Sequence, residues 1–352
     1  MKILFFGAGA IGTYIGGSLA SAGHAVTFIE RPQPADAIRA RGLRVRRGAD
    51  EETIRNISVV TSPAEALAVG PYDFGVFALK SFDTATALEE LRAAAHLSPS
   101  EAQPSVPVPP LLCFQNGVDN EAEIARSLGA DHVIAGTVTT AVGKPGLGEA
   151  VEERKRGVGV ALGHPLSEPV VQALNQARLN AHPYPAAGPM KWSKLLTNLI
   201  GNATSAILDL PVAALFADRR LFALEITVLR ECLAVMRAQA YAPVDLPGTP
   251  VRALALAVER LPRALAQPIL TRAVGGGRGG KMPSFHIDLH GGRGRTEVRW
   301  LNGAVAAHGA RLGVAAPVNQ ALTETLEALS AGRLDKEQFR QRPESLLQLI
   351  NV

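Results

Sequence analysis

The feature that most constrains this chain lies in its first thirty residues. Residues 2–6, KILFF, make a short apolar run of the kind a buried parallel strand uses. Gly7-Ala8-Gly9-Ala10-Ile11-Gly12 follows directly and spells G-x-G-x-x-G at a predicted strand-to-helix junction. Dinucleotide binding asks for glycines at these places. The first permits the tight turn, the second lets backbone approach a pyrophosphate, and the third lets helix pack on strand. The anion then sits on the helix N-terminus, where free N–H groups and the macrodipole favour it. A glycine loop alone is weak evidence. Here a strand precedes it, a helix running to about Gly23 follows it, and a second strand ends in Glu30, eighteen positions past Gly12. The same stretch could pass for a secretory signal, but Gly7, Gly9, Gly12, Gly16 and Gly17 crowd the apolar core such a signal needs.

Composition narrows the rest. The chain has 352 residues, 47% hydrophobic and 19% charged, enough for roughly two domains with cores of their own and too apolar for general disorder. No apolar run reaches the roughly 18 residues of a spanning helix, so no membrane partner is expected. Net charge is +4, with a mild cluster at Arg39, Arg41, Arg44, Arg46 and Arg47 and another pair at Arg293 and Arg295. With aromatics at 5%, this is not the dense basic stripe of a nucleic-acid protein, though it suits a small anionic substrate. Cys113 and Cys232 cannot build a disulfide framework and have no metal-ligand spacing, which fits a reduced, cytoplasmic protein.

Strand and helix patterns alternate through the first half. GLRVRRG, NISVV, YDFGVFALK ending in Lys80, PLLCFQNG, HVIAGTVTTA and GVGVALG read as strands, and TATALEELRAAAHL and DNEAEIARSLG as helices. Residues 98–110, SPSEAQPSVPVPP, read as an exposed connector. The stretch HPYPAAGPM marks a boundary, beyond which the helical period dominates, with GGGRGG and HGGRGR as flexible loops. The expected fold class is α/β: a Rossmann-like, doubly wound sheet over 1–186, followed by an all-α domain over 187–352.

Within that helical half, Lys194, Asn198 and Asn202 recur every four residues, so one predicted helix presents an ammonium and two carboxamides along one face. A solvated face is the plain alternative. Leu195, Leu196, Leu199 and Ile200 flank the stripe, however, and asparagine is a poor helix-surface residue, so the stripe is read as lining a cleft. The eight histidines show no motif such as H-E-x-x-H, so no metal is expected; His286, His290 and His308 read as solvated or capping, and Cys113 as core. Glu30 and Arg31 pull in opposite directions: a carboxylate there accepts from the ribose 2′-OH of NAD, whereas an arginine pairs with the 2′-phosphate of NADP.

With these residues in view, the chain resembles the ketopantoate reductase family, whose members reduce 2-dehydropantoate with NADPH. The resemblance runs through GAGAIG, FALK at Lys80, FQNG with Asn116, KWSKLLTN with Lys194 and Asn198, then Asn202, PSF with Ser284, and TEVRWLNG with Glu297 and Asn302. It implies an N-terminal Rossmann domain, a helical C-terminal domain, and reduction of 2-dehydropantoate to pantoate in pantothenate biosynthesis. Lys194 then matches the proton donor, and Asn198, Asn202 and Ser284 the substrate-binding positions. Asn116 and Glu297 match residues touching cofactor, substrate or both, Lys80 a lysine near the nicotinamide, and Arg31 the 2′-phosphate arginine. The implied cofactor is NADP(H), without a metal, and the implied partner is a small anionic 2-oxo acid; a homodimer stays open. Many family members carry another asparagine where Val212 stands, and the 98–110 loop and the segment 241–281 are longer than the compact family form. Two alternatives remain: a paralogous reductase of another 2-oxo acid or an imine, and a non-catalytic NADP-binding sensor.

Overall fold

The structure, a computed structural model, describes the backbone of residues 1–96, 107–278, 282–292 and 294–350, and the side chains of these apart from 273–278. The chain divides into two compact units. One contains Met1–Gln115, Asp119–Met190 and Leu246–Thr249; the other contains Asn116–Val118, Lys191–Asp245 and the chain from Pro250 onward.

The first unit runs β1 (Lys2–Phe6), α1 (Ala10–Ser21), β2 (Ala25–Ile29), α2 (Pro32–Arg41), β3 (Leu43–Arg47), β4 (Asp50–Ile54), β5 (Ile57–Val60), α3 (Pro63–Val69) and β6 (Phe74–Phe77). It continues with α4 (Thr84–Ala94), β7 (Leu111–Cys113), α5 (Asn120–Leu128), β8 (Val133–Val138), β9 (Ala141–Gly143), β10 (Glu149–Arg154), β11 (Val158–Ala161), α6 (Ser167–Gln176) and β12 (Ala181–Tyr184). Eight strands form one sheet in the order β12-β11-β8-β7-β6-β1-β2-β5, parallel from β5 through β8, with β11 antiparallel to β8. The chain leaves β1 toward β2 and returns on its other side to β6, so the switch point of the sheet falls at β1, beside the glycine loop. Ligands of open α/β sheets bind at such a point.

Strand periodicity divides β1 between two cores. Ile3 and Phe5 pack with Tyr14, Ile15 and Leu19 of α1, whereas Leu4 and Phe6 pack with Leu67, Leu88, Leu91 and Ile124 of α3, α4 and α5. Each fully buried Leu, Ile or Phe stabilises the fold by about 1.5–3 kcal/mol of transfer free energy. A second sheet, ordered β4-β3-β10-β9, covers the other side of α1. That explains two glycines outside the G-x-G-x-x-G loop. A Cβ at Gly16 would lie 2.4 Å from Phe28, and one at Gly17 would lie 2.9 Å from both Ile54 and Val45. Two arginines of the basic cluster on this second sheet pair with acids: Arg44 with Glu149 at 2.5 Å, and Arg47 with Glu52 at 3.2 Å.

The second unit is helical: α7 (Ala187–Leu199, which begins in the first unit), α8 (Asn202–Leu208), α9 (Val212–Ala217), α10 (Arg219–Ala238), α11 (Val251–Arg260), α12 (Arg263–Arg278), α13 (Ser284–His290), α14 (Asn302–Leu312), α15 (Pro317–Ser330) and α16 (Pro343–Ile350). α8 packs on α13 and α15, and α10 on α14, α15 and α9. The buried face of α10 includes Leu221, Leu224, Val228 and Cys232, together with two carboxylates, Glu225 and Glu231.

Several local expectations change. The strand before Lys80 stops at Phe77, and a 3-10 turn at Ser81–Asp83 follows the lysine. Pro183, in the stretch read as a boundary, lies in β12, an edge strand, where a missing N–H costs least. The connector 98–110 is not exposed throughout: 97–106 lie outside the described residues, but Val108 is buried in the core with Leu88 and Leu91. Of GGGRGG, residues up to Arg278 continue α12 as helix. The long helical run after Arg252 breaks at Pro262 because the residue before a proline is pushed out of helical geometry.

Candidate active site

The glycine loop joins β1 to α1. Gly7 takes φ +90°, and a Cβ on Gly12 would lie 2.1 Å from the carbonyl oxygen of Gly7, so neither position accepts a side chain. At Gly9 a Cβ would meet open space, the side on which a pyrophosphate would approach. Gly9 caps α1 without any side-chain cap bond to its first turn. The loop thus fits a dinucleotide: backbone donors at a twelve-residue helix, with Ala8, Ala10 and Ile11 supplying no polar competitor.

Glu30 and Arg31 lie just past the end of β2. The Glu30 carboxylate accepts from the Ala8 N–H at 2.7 Å and from the Arg31 N–H at 2.9 Å, and its side chain is 12% exposed. Arg31 stands before α2 in an extended conformation, ψ 154°, with its side chain 88% exposed. The two side chains form a loose ion pair, Arg31 Nε to Glu30 Oε1 at 3.9 Å. One braces the glycine loop, and the other reaches out.

Lys80 follows β6, and its carbonyl accepts from Gln115 Nε2 at 3.4 Å. Gln115 also donates to Thr84 Oγ1 at 2.8 Å, Thr84 to Asn120 Oδ1 at 3.1 Å, and Asn120 Nδ2 to Ser81 Oγ at 3.2 Å. This buried chain of amides and hydroxyls fixes the backbone around Lys80, and sequence reasoning missed all four of its members. Polar residues flanking a buried strand were the available signal.

In the helical unit, Lys194 and Asn198 lie one turn apart on α7, both half-buried. Asn198 Nδ2 donates to Asn116 Oδ1 at 2.9 Å, which brings together two residues 82 positions apart. Asn202 does not continue the same helix. Gly201, at φ +61°, ends α7, and Asn202 opens α8. The break is built: Gly201 N–H donates to Glu225 Oε2 at 2.7 Å, Thr204 Oγ1 donates to Glu225 Oε1 at 2.6 Å, and a Cβ on Gly201 would lie 2.6 Å from Val212. Glu225 is 1% exposed, a carboxylate on the apolar face of α10, and that misplacement was its only sequence signal.

Asn202 is buried and faces α13. Its Oδ1 accepts from the Phe285 N–H at 3.0 Å, and its Nδ2 donates to Ser284 Oγ at 3.3 Å. The carboxamide therefore seats the first turn of α13 and orients the exposed Ser284. Glu297 is 2% exposed and stands before a 3-10 turn at Val298–Trp300. Asn302 donates to Asn319 Oδ1 at 3.0 Å inside the helical core. His308 packs edge-on against Trp192, 5.1 Å between centroids, rather than standing in solvent. Cys113 is fully buried, as a core residue should be.

A doubly wound sheet with a glycine loop at its switch point, followed by a helical unit carrying lysine, asparagine and serine, defines the class of Rossmann-type oxidoreductases with a helical C-terminal half. The family model described as ketopantoate reductase PanE/ApbA matches residues 3–161, and the model of that family's C-terminal half matches 188–330. The chain belongs to the ketopantoate reductase family. The 2-dehydropantoate 2-reductase of Pyrococcus horikoshii is 27% identical over 341 residues, covering 94% of this chain and 99% of that protein. The crystal structure of a PanE/ApbA family ketopantoate reductase from Ralstonia eutropha JMP134 matches with a TM-score of 0.76 at 29% identity, over 95% of this chain and 99% of its own. D-mandelate dehydrogenase with NADH and anilino(oxo)acetate matches with a TM-score of 0.75 at 21% identity, over 94% and 99% of the two chains, a likeness of fold. Among the described residues, no helix is long and apolar enough to cross a membrane.

Proposed function

We propose that this chain is a cytoplasmic, NADPH-dependent reductase of a small anionic 2-oxo acid, with 2-dehydropantoate as the first substrate to test. The observation that carries the reading is the placement of Lys194 one helical turn before Asn198, whose carboxamide is tied to Asn116 at 2.9 Å. A non-catalytic sensor has no use for a lysine held beside two paired carboxamides, with a seated serine in the same unit.

When bound, the cofactor supplies a hydride to the ketone carbon. The carbonyl electron pair then moves onto oxygen, and Lys194 stabilises that developing charge and donates a proton from Nζ, giving the hydroxy acid. The neutral amine regains its proton from water. Asn116 and Asn198 offer amide donors and acceptors suited to a neutral hydroxyl or carbonyl, and their mutual bond fixes which end of each amide faces the substrate. Ser284 Oγ suits one carboxylate oxygen, with Asn202 holding its rotamer. On this reading Lys80 serves the nicotinamide end, Glu297 the cofactor or substrate, and Arg31 the 2′-phosphate.

The test is NADPH oxidation by the wild type against a panel of 2-oxo acids that includes 2-dehydropantoate. Turnover of 2-dehydropantoate well above the other acids is the expected result. Preference for another acid moves the substrate but keeps the chemistry, and no turnover with any acid sinks the reading. Lys194→Ala should lower kcat by roughly 10² or more with folding and NADPH binding intact. Near wild-type turnover in that variant would move the donor elsewhere.

A further inference from the structure

Ser284 and Asn202 open the helices α13 and α8, and the far ends of the same two helices meet in a second cluster of side chains. Asp209 terminates α8 in the left-handed region, φ +50°, and its Oδ1 lies 2.6 Å from His286 Nε2. His290, one turn further along α13, stacks on His286 with ring centroids 4.3 Å apart. One ligand atom from each of the three residues lies within 4.8 Å of those of the other two. We infer that Asp209, His286 and His290 form a binding site for a zinc-class divalent cation, which would clip the end of α8 to α13.

The surroundings are those of a ligand set rather than a loose surface cluster. His290 Nε2 meets the carbonyl oxygen of Ala206 at 3.0 Å. A carbonyl accepts only from an N–H, so this contact places the proton on Nε2 and the lone pair on Nδ1. Metal-ligating imidazoles are commonly oriented by such a bond from their other nitrogen. Arg340 Nε lies 3.2 Å from Asp209 Oδ2, so the second carboxylate oxygen is engaged while Oδ1 faces the histidines. Two imidazoles and one carboxylate favour zinc and its late first-row neighbours over the oxygen-seeking Mg²⁺ and Ca²⁺. Binding requires Asp209 Oδ1 and His286 Nε2 to part from their 2.6 Å contact to flank the ion, with the Nε2 proton lost to solvent or moved to Nδ1 so that Nε2 offers its lone pair. In the sequence the signal is His286 and His290 at i and i+4, one helix face, without the glutamate that a catalytic zinc motif places between them.

The experiment is calorimetric titration of chelator-treated full-length protein with Zn²⁺ and, separately, with Mg²⁺, joined to a thermal melt with and without Zn²⁺. Wild type is expected to bind one Zn²⁺ per chain and to melt higher with it, and Mg²⁺ to do neither. His290→Gln and Asp209→Asn are each expected to weaken Zn²⁺ by about tenfold or more. Asparagine tolerates the left-handed conformation, so Asp209→Asn should fold, and the exposed position of His290 makes His290→Gln the safer variant. The inference is overturned if wild type shows no stoichiometric Zn²⁺ binding. It is equally overturned if His290→Gln binds Zn²⁺ as wild type does, or if Mg²⁺ binds comparably. None of these outcomes depends on the substrate assigned to the oxidoreductase site.

Discussion

Glu30 and Arg31 are neighbours in sequence joined by a loose ion pair, and on the proposed function cofactor choice turns on which of them meets the adenosine ribose. Glu30 spends both carboxylate oxygens on the N–H groups of Ala8 and Arg31, whereas the Arg31 side chain is mostly exposed and touches Glu30 only through Nε, at 3.9 Å. A charge-assisted contact between guanidinium and 2′-phosphate is worth roughly 1.5–3 kcal/mol. Arg31→Ala should therefore reduce kcat/KM for NADPH about tenfold or more and leave NADH nearly unchanged. Glu30→Ala should weaken both cofactors together, because it loosens the loop they share. Wild-type preference for NADH, or equal losses in Arg31→Ala, would hand the pocket to Glu30. Asp209 gives a second test at this scale. Its carboxyl is held low, first by the His286 hydrogen bond, so its contribution to stability is full above the unfolded aspartate value of about 3.9 and is lost as pH falls through the folded value. With chelator present, wild type should be more stable than Asp209→Asn at pH 6, and the gap should close below about pH 4 in acid-unfolding curves. The glycine loop and the one-turn spacing of Lys194 and Asn198 on a single helix were legible because each is a local pattern. The use of Glu30 as a brace was not, since the Ala8 N–H it meets is twenty-two residues away.

The break between α7 and α8 decides where Asn202 points. By spacing, Lys194, Asn198 and Asn202 share one helix face, and a single glycine inside a helical pattern is ordinarily tolerated. What ends the helix is distant in sequence: Glu225 accepts from the Gly201 N–H, and Val212 fills the space a Cβ would need. Gly201→Ala should cost roughly 1–3 kcal/mol from overpacking against Val212, read as a lower urea midpoint. Glu225→Ala should cost roughly 2–3 kcal/mol, because the Gly201 N–H and the Thr204 hydroxyl lose their shared acceptor. If Asn202 and Ser284 meet the substrate as proposed, any active Glu225→Ala protein should show a raised substrate KM, since Glu225 holds the turn that opens the helix of Asn202. An unchanged midpoint in Glu225→Ala would mean that α8 needs no such tether. Other elements escaped sequence reading for similar reasons. α2 opens on Pro32 and Pro34 with little apolar period, and β4 is charged along most of its length.

At the scale of the whole chain, alternation of strand and helix was enough to anticipate a doubly wound sheet, but not the second sheet, whose β10–β3 pairing joins residues about a hundred positions apart. Gly16 and Gly17 are the local trace of that sheet, legible only once both of its neighbours are known. Each compact unit carries one cysteine: Cys113 in β7 of the first, Cys232 in α10 of the second, and both are fully buried. Burial also pushes the Cys232 thiol upward in pKa, so it stays protonated and unreactive until the helical unit opens. The native protein should accordingly resist thiol reagents at both positions. Each unit has an apolar core of its own, which is the condition for unfolding in separate cooperative steps. Pulse labelling along a urea series, read by intact mass and peptide mapping, should reveal a range in which one thiol per chain is modified before the second follows. A direct passage from none to two labels would mean that the units unfold as one cooperative body.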